Sequence, residues 1–120
     1  HHAKIEKKKS IKIWGSGNAR REFIHVDDMA DGIIHIMKNY KDNTPINLCT
    51  GEEVTIKKLS YIIKNIVNFK GEIIFDSKKP EGIKRKILNN EKLKKLNWSH
   101  KISLEEGIKQ LYEEYKLKME

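Results

Sequence analysis

Three arginines stand apart in a chain that otherwise draws its positive charge from lysine. Arg20, Arg21 and Arg85 are the only arginines among 25 cationic residues, and they fall in two short segments. A guanidinium offers a planar fork that takes phosphate oxygens in pairs, which an ammonium cannot do. Their placement therefore points to a phosphorylated ligand. Trp14 lies a few residues before the first pair and presents an aromatic face on which a base can stack. Alone, a tryptophan after an apolar strand reads more readily as core. The loop Lys79-Pro80-Glu81-Gly82-Ile83-Lys84-Arg85-Lys86 adds cations for phosphate and a carboxylate for ribose hydroxyls. Trp14, Arg21 and this loop together form the candidate nucleotide-binding set.

Other spacings imitate chemistry. Gly15-Ser16-Gly17-Asn18-Ala19-Arg20 approaches the G-x-G-x-x-G turn of dinucleotide sites, but arginine replaces its third glycine. The residues that follow, Glu22 to Val26, read as strand where that turn must open a helix. Tyr112 and Lys116 have Y-x-x-x-K spacing, in which lysine lowers a tyrosine pKa for proton donation. Here they sit near the end of a charged helix and read as a solvated pair. His25-Val26-Asp27-Asp28 could hold a metal or an acid/base pair. The plainer reading makes Asp27 a helix cap and Asp28 a partner of the helix dipole. Cys49 follows an apolar strand without a basic neighbour and reads as a small buried hydrophobe. No Cys/His cluster has zinc spacing, so no metal site is expected.

The elements that position these residues are short and mixed. The 120 residues suffice for one compact domain, taken as residues 1–120, with one core. Residues 1–9 read as the last turns of a helix that began earlier. Strands are expected at Ile11–Trp14, Glu22–Val26, Ile46–Thr50 and Ile73–Phe75. A helix after Asp27 carries Met29, Ile33, Ile36 and Met37 on its apolar face. A second is capped by Thr55, a short one spans about Glu91 to Leu96, and Ser103 with Glu106 forms a capping box for the last. The fold class is a small mixed α/β lobe in which no unit forms a full Rossmann half. No apolar run approaches the roughly 20 residues of a membrane span, and no signal peptide is visible. One cysteine excludes an internal disulfide and suits a reducing cytoplasm. The net charge of +8 raises nucleic acid as a partner, yet the lysines are scattered and interleaved with 17 acids.

The segment Trp14-Gly-Ser-Gly-Asn-Ala-Arg-Arg-Glu-Phe-Ile-His-Val-Asp-Asp28-Met-Ala resembles the W-G-[ST]-G-x-x-x-R-E-F-[LI]-H-V-D-D-[ML]-A segment of GDP-L-fucose synthases. The likeness continues through Asn47, Thr50-Gly51, Ser77-Lys78-Lys79-Pro80, Arg85-Lys86, Leu96-Asn97-Trp98 and Ile102 to Ile108. These enzymes are extended short-chain dehydrogenase/reductases. The resemblance implies the C-terminal, substrate-binding part of an NADP-dependent enzyme that converts GDP-4-keto-6-deoxy-mannose to GDP-L-fucose by 3,5-epimerisation and 4-reduction. It places Trp14 and Arg21 against GDP, Glu81 where the family has a nucleotide-contacting aspartate, and Lys86 near the substrate. Glu81 is one methylene longer than that aspartate, and Cys49 stands where the family has glycine. The catalytic residues and the NADP site would lie before residue 1, so this chain is expected to hold neither and to be inactive alone. The full-length enzyme is expected in the cytoplasm, a homodimer through its N-terminal domain. Rival readings are the same fold on a colitose- or heptose-pathway GDP-sugar, a free-standing nucleotide-sugar module, and a basic nucleic-acid-binding domain.

Overall fold

A computed structural model describes residues 1–118. The chain runs α1 (His2–Ile5), β1 (Ser10–Trp14), β2 (Arg20–Arg21), α2 (Val26–Asn39), β3 (Val54–Thr55), α3 (Ile56–Val67), β4 (Glu72–Asp76), α4 (Glu91–Lys95) and α5 (Leu104–Leu117). Two small two-stranded sheets result. β1 and β4 pair in parallel from Ser10 opposite Glu72 to Trp14 opposite Asp76. β2 and β3 pair antiparallel, Arg20 opposite Thr55 and Arg21 opposite Val54. A single bridge between Arg20 and Arg85 lays the 84–86 loop along the free edge of β2.

Capping explains where the helices begin. Thr55 Oγ1 accepts the Lys58 amide at 3.1 Å and Ser103 Oγ accepts the Glu106 amide at 3.3 Å, each meeting one of the helix's orphan donors. α3 stops at Asn68, whose φ of 59° is the left-handed conformation that asparagine tolerates better than most residues. The cap of α2 differs from expectation. His25, not Asp27, is the N-cap, and its Nδ1 accepts the Asp27 amide at 3.3 Å.

Two expected strands are absent among the described residues. Residues 22–25 are extended without a ladder because β2 ends at Arg21, where β3 also ends its pairing. Residues 46–50 are likewise extended but unpaired as strand; side chains such as Asn90, donating to the Thr50 carbonyl at 3.3 Å, meet their polar groups instead.

The expected compact domain is a thin slab, 53 × 37 × 16 Å, with a radius of gyration of 17.3 Å. A compact chain of this length would have about 14 Å. Its buried apolar residues, Leu93, Trp98, Val54, Val67 and Phe69 among them, are few. The apolar face of α2 is split accordingly. Gly32 packs so closely on Leu48 and Trp98 that an added Cβ would lie 2.5 Å from Leu48 Cδ1, while Ile33 and Met37 point to solvent with Val26. Positions 28, 32 and 36 share the inner stripe; positions 26, 33 and 37 share the outer one.

Candidate functional site

β1 delivers Trp14 to a turn that two glycines make possible. Gly15 and Gly17 have φ of 84° and 78°, and a side chain on Gly17 would collide with the ring of Phe75. Trp14 is 65% exposed, which excludes the core reading, and the Lys79 ammonium stands 5.7 Å from its ring centroid. Glu81 fills the concave side of the turn. Its Oε1 accepts from Ser16 Oγ at 2.5 Å and from the amides of Asn18 and Ala19 at 3.2 and 3.3 Å. The Ser16 hydroxyl, with these amides, holds the carboxyl below its ordinary range against the opposing pull of desolvation. The extra methylene of glutamate thus reaches the turn's own donors.

Arg21 and Lys86 meet elsewhere. Both line a pocket of about 410 Å³ whose wall includes Met29, Leu48, Cys49 and Leu88. Arg21 Nη1 donates to the Arg20 carbonyl at 2.7 Å. No carboxylate pairs with Arg21 or Lys86 among the described residues. Arg21 forms no ion pair with the nearby acids Glu22 and Asp28. Glu22 is occupied by the Thr50 hydroxyl at 2.9 Å and by the Gly51 and Leu88 amides at 2.6 and 3.3 Å. Desolvation would raise its pKa, but these donors outweigh it and the carboxyl titrates low. Asp28 is buried elsewhere. Burial, then the Glu22 charge, pushes the Cys49 thiol up, so it is a neutral part of the wall. The 81–86 loop joins the two clusters: a Cβ at Gly82 would lie 4.0 Å from the Arg21 guanidinium, while Glu81 sits under the turn.

Residues 2–49 match the family described as NAD dependent epimerase/dehydratase. The chain is 40% identical to GDP-L-fucose synthase of Escherichia coli (strain K12), a match covering 94% of this chain and 38% of that protein. It superposes on a GDP-6-OMe-4-keto-L-xylo-heptose reductase from C. jejuni with a TM-score of 0.85 and 42% identity, covering 92% of this chain and 35% of the other. A GDP-mannoheptose C4 reductase from Campylobacter jejuni, solved with NADP bound, superposes at 0.80 with 44% identity over 91% of this chain and 35% of that one. The chain is similar to these enzymes along nearly all of its own length. It spans about a third of the length of the curated relatives it matches. Its architecture is the mixed α/β lobe of an extended short-chain dehydrogenase/reductase.

The imitations resolve within this lobe. The Gly15–Arg20 turn leads into β2, not into a helix, and the Asn18 and Ala19 amides already bind a carboxylate. These residues do not fit a dinucleotide pyrophosphate. Tyr112 hydrogen-bonds His1 Nδ1 at 3.1 Å, and Lys116 pairs with Glu113 at 2.6 Å while lying 5.3 Å from the Tyr112 ring centroid. Asp28 is 3% exposed and accepts the Lys101 and Ile102 amides at 3.0 and 2.9 Å, so it ties α2 to the entry of α5. No group of three or more His, Cys, Asp or Glu among the described residues could hold a metal. Sequence reasoning missed Glu22 on the pocket wall, and Ser16 and Glu53 outside it, whose long-range partners lie 28 to 66 residues away. Nothing in their local spacing announces them.

Proposed function

We propose that this chain is the GDP-sugar-binding part of an NADP-dependent GDP-L-fucose synthase, acting on GDP-4-keto-6-deoxy-mannose by 3,5-epimerisation and 4-reduction. The observation that carries the reading is the presence of Arg21 and Lys86 on one pocket, neither of them in an ion pair among the described residues, while the carboxylate on the same wall, Glu22, is taken up by the Thr50 hydroxyl and the Gly51 and Leu88 amides. An uncompensated guanidinium beside an ammonium is a site for a dianionic group such as a diphosphate. Trp14 offers its face to the base, and Glu81 holds the turn that presents Trp14. NADP chemistry falls to residues outside this sequence, because the one glycine-rich turn here is filled by Glu81. The location is the cytoplasm and the full-length enzyme a homodimer, as the resemblance implies.

The likeness to two Campylobacter reductases supports a second reading, the same lobe acting on a GDP-heptose. Product analysis separates the two. The full-length protein, given NADPH and GDP-4-keto-6-deoxy-mannose, is expected to consume NADPH and release GDP-L-fucose, whereas residues 1–120 alone should consume none. Turnover confined to a GDP-heptose substrate would establish the second reading, and turnover by residues 1–120 alone would overturn the assignment to a binding lobe.

A further inference from the structure

Glu53 belongs to none of the motifs above, yet among the described residues it is the one carboxylate that engages two arginines. Its Oε1 accepts from Arg20 Nη1 at 2.5 Å and its Oε2 from Arg85 Nε at 2.7 Å. Its side chain is 26% exposed, against 51% and 65% for the two arginines it holds. Arg20 lies on β2 and Arg85 on the loop beside it. Between these segments run two backbone bonds, Arg20 N to the Lys84 carbonyl at 2.8 Å and Lys86 N to the Arg20 carbonyl at 3.2 Å.

The Arg20 carbonyl is shared. It accepts the Lys86 amide and also Arg21 Nη1, so both cations of the pocket are referenced to one atom. Successive side chains of an extended segment leave it on opposite faces. Arg20 reaches Glu53 while Arg21 lines the pocket, and likewise Arg85 reaches Glu53 while Lys86 lines the pocket. Each pocket cation thus has an arginine neighbour anchored behind it, and one carboxylate anchors both. Residues 82–86 are all exposed, and little else fixes this stretch. Arg20 also falls on a position that the family motif leaves open.

We propose that Glu53 is a positioning residue that, by bridging Arg20 and Arg85, sets the separation of Arg21 and Lys86 and so the pocket's grip on a nucleoside diphosphate. This rests on the diphosphate reading of the pocket. It also removes Arg20 and Arg85 from the set of ligand-facing cations, since each already donates to a carboxylate.

The test uses the full-length protein with Glu53→Gln, which keeps the side chain's size but not its charge, and Arg85→Gln, which removes one partner. GDP binding is measured by calorimetry, and amide hydrogen exchange over residues 82–88 is measured without ligand. Both variants should exchange faster over 82–88 and bind GDP roughly tenfold more weakly, and combining Glu53→Gln with Arg21→Lys should cost less than the product of the single effects. Native exchange rates in Glu53→Gln, or native GDP affinity with only a lowered melting temperature, would overturn the proposal. If the unsubstituted protein fails to bind GDP while exchange still rises in both variants, the diphosphate reading falls and the ligand part of this proposal falls with it.

Discussion

Where α2 faces residues 96–102, its polar side chains are met by partners from the fold itself. Asp28 takes two backbone amides, Asp31 Oδ2 accepts Trp98 Nε1 at 2.8 Å, and His35 Nε2 is 2.8 Å from the Leu96 carbonyl. At the edge of the 410 Å³ pocket, Arg21 has only its neighbour's carbonyl, and no partner accepts from Lys86 Nζ among the described residues. Both regions are rich in groups that chemistry could use. Buried polar groups must be satisfied by the fold itself, so a saturated cluster has nothing left for a ligand. A cation held in place without its counter-charge does. Saturation, rather than residue type, separates scaffold from site here, and it assigns the His25–Asp28 segment to scaffold.

The largest effect expected from this contrast is on stability. Asp28→Ala would leave the Lys101 and Ile102 amides without acceptors in a buried place and untie the start of α5. Charge-assisted bonds to amides are worth about 1.5–3 kcal/mol each, so the loss should be on the order of 3–5 kcal/mol. Denaturant unfolding of the full-length protein is the measurement, with KM for the GDP-sugar taken on the fraction that remains folded. A loss under about 1 kcal/mol, or a raised KM at native stability, would break the comparison by making Asp28 part of the site.

Arg21 should respond in the opposite sense. Arg21→Lys keeps the charge but not the fork, so KM should rise about tenfold or more, a loss of about 1.5–3 kcal/mol. The melting temperature should hardly move, since no ion pair is broken. Unchanged kinetics with a lowered melting temperature would make Arg21 structural and leave the phosphate reading to Lys86.

How much of this was legible before the fold was known depends on the range of the interaction. β1, β4 and the four longer helices announce themselves because periodicity and caps act within a few residues. β2 and β3 do not, since two residues cannot display a period and their pairing joins positions 20–21 to 54–55. The 46–50 run has a strand's composition but finds no ladder. The arginine bias picked out two segments that the Arg20–Arg85 bridge lays side by side, yet two of the three guanidiniums turn out to serve Glu53. Glu81 was placed by resemblance at the nucleotide. That it grips Ser16 and two amides depends on how one extra methylene reaches across 62 to 65 residues of chain. The split of α2 was hidden for a related reason. A hydrophobic stripe tells where apolar residues lie, and in a slab 16 Å thick there is too little interior to cover them all.

The smallest effect is expected where neither condition holds. Tyr112 and Lys116 have the spacing of a catalytic pair, but Tyr112 is half-buried against His1 and Lys116 is paired with Glu113. Neither residue lines the Arg21–Lys86 pocket. Tyr112→Phe removes one hydroxyl and its bond to His1 while keeping the ring that the lysine approaches. The expected loss of stability is about 0.5–1.5 kcal/mol, the net worth of a single neutral hydrogen bond. A tyrosine acting as proton donor would instead lose about 10²–10⁴-fold in kcat when its hydroxyl is removed. Steady-state kinetics of the full-length Tyr112→Phe enzyme therefore gives a wide margin. A kcat within about twofold of native is expected. A fall of a hundredfold would put chemistry on a helix whose tyrosine and lysine already have partners, and saturation would no longer serve to tell scaffold from site.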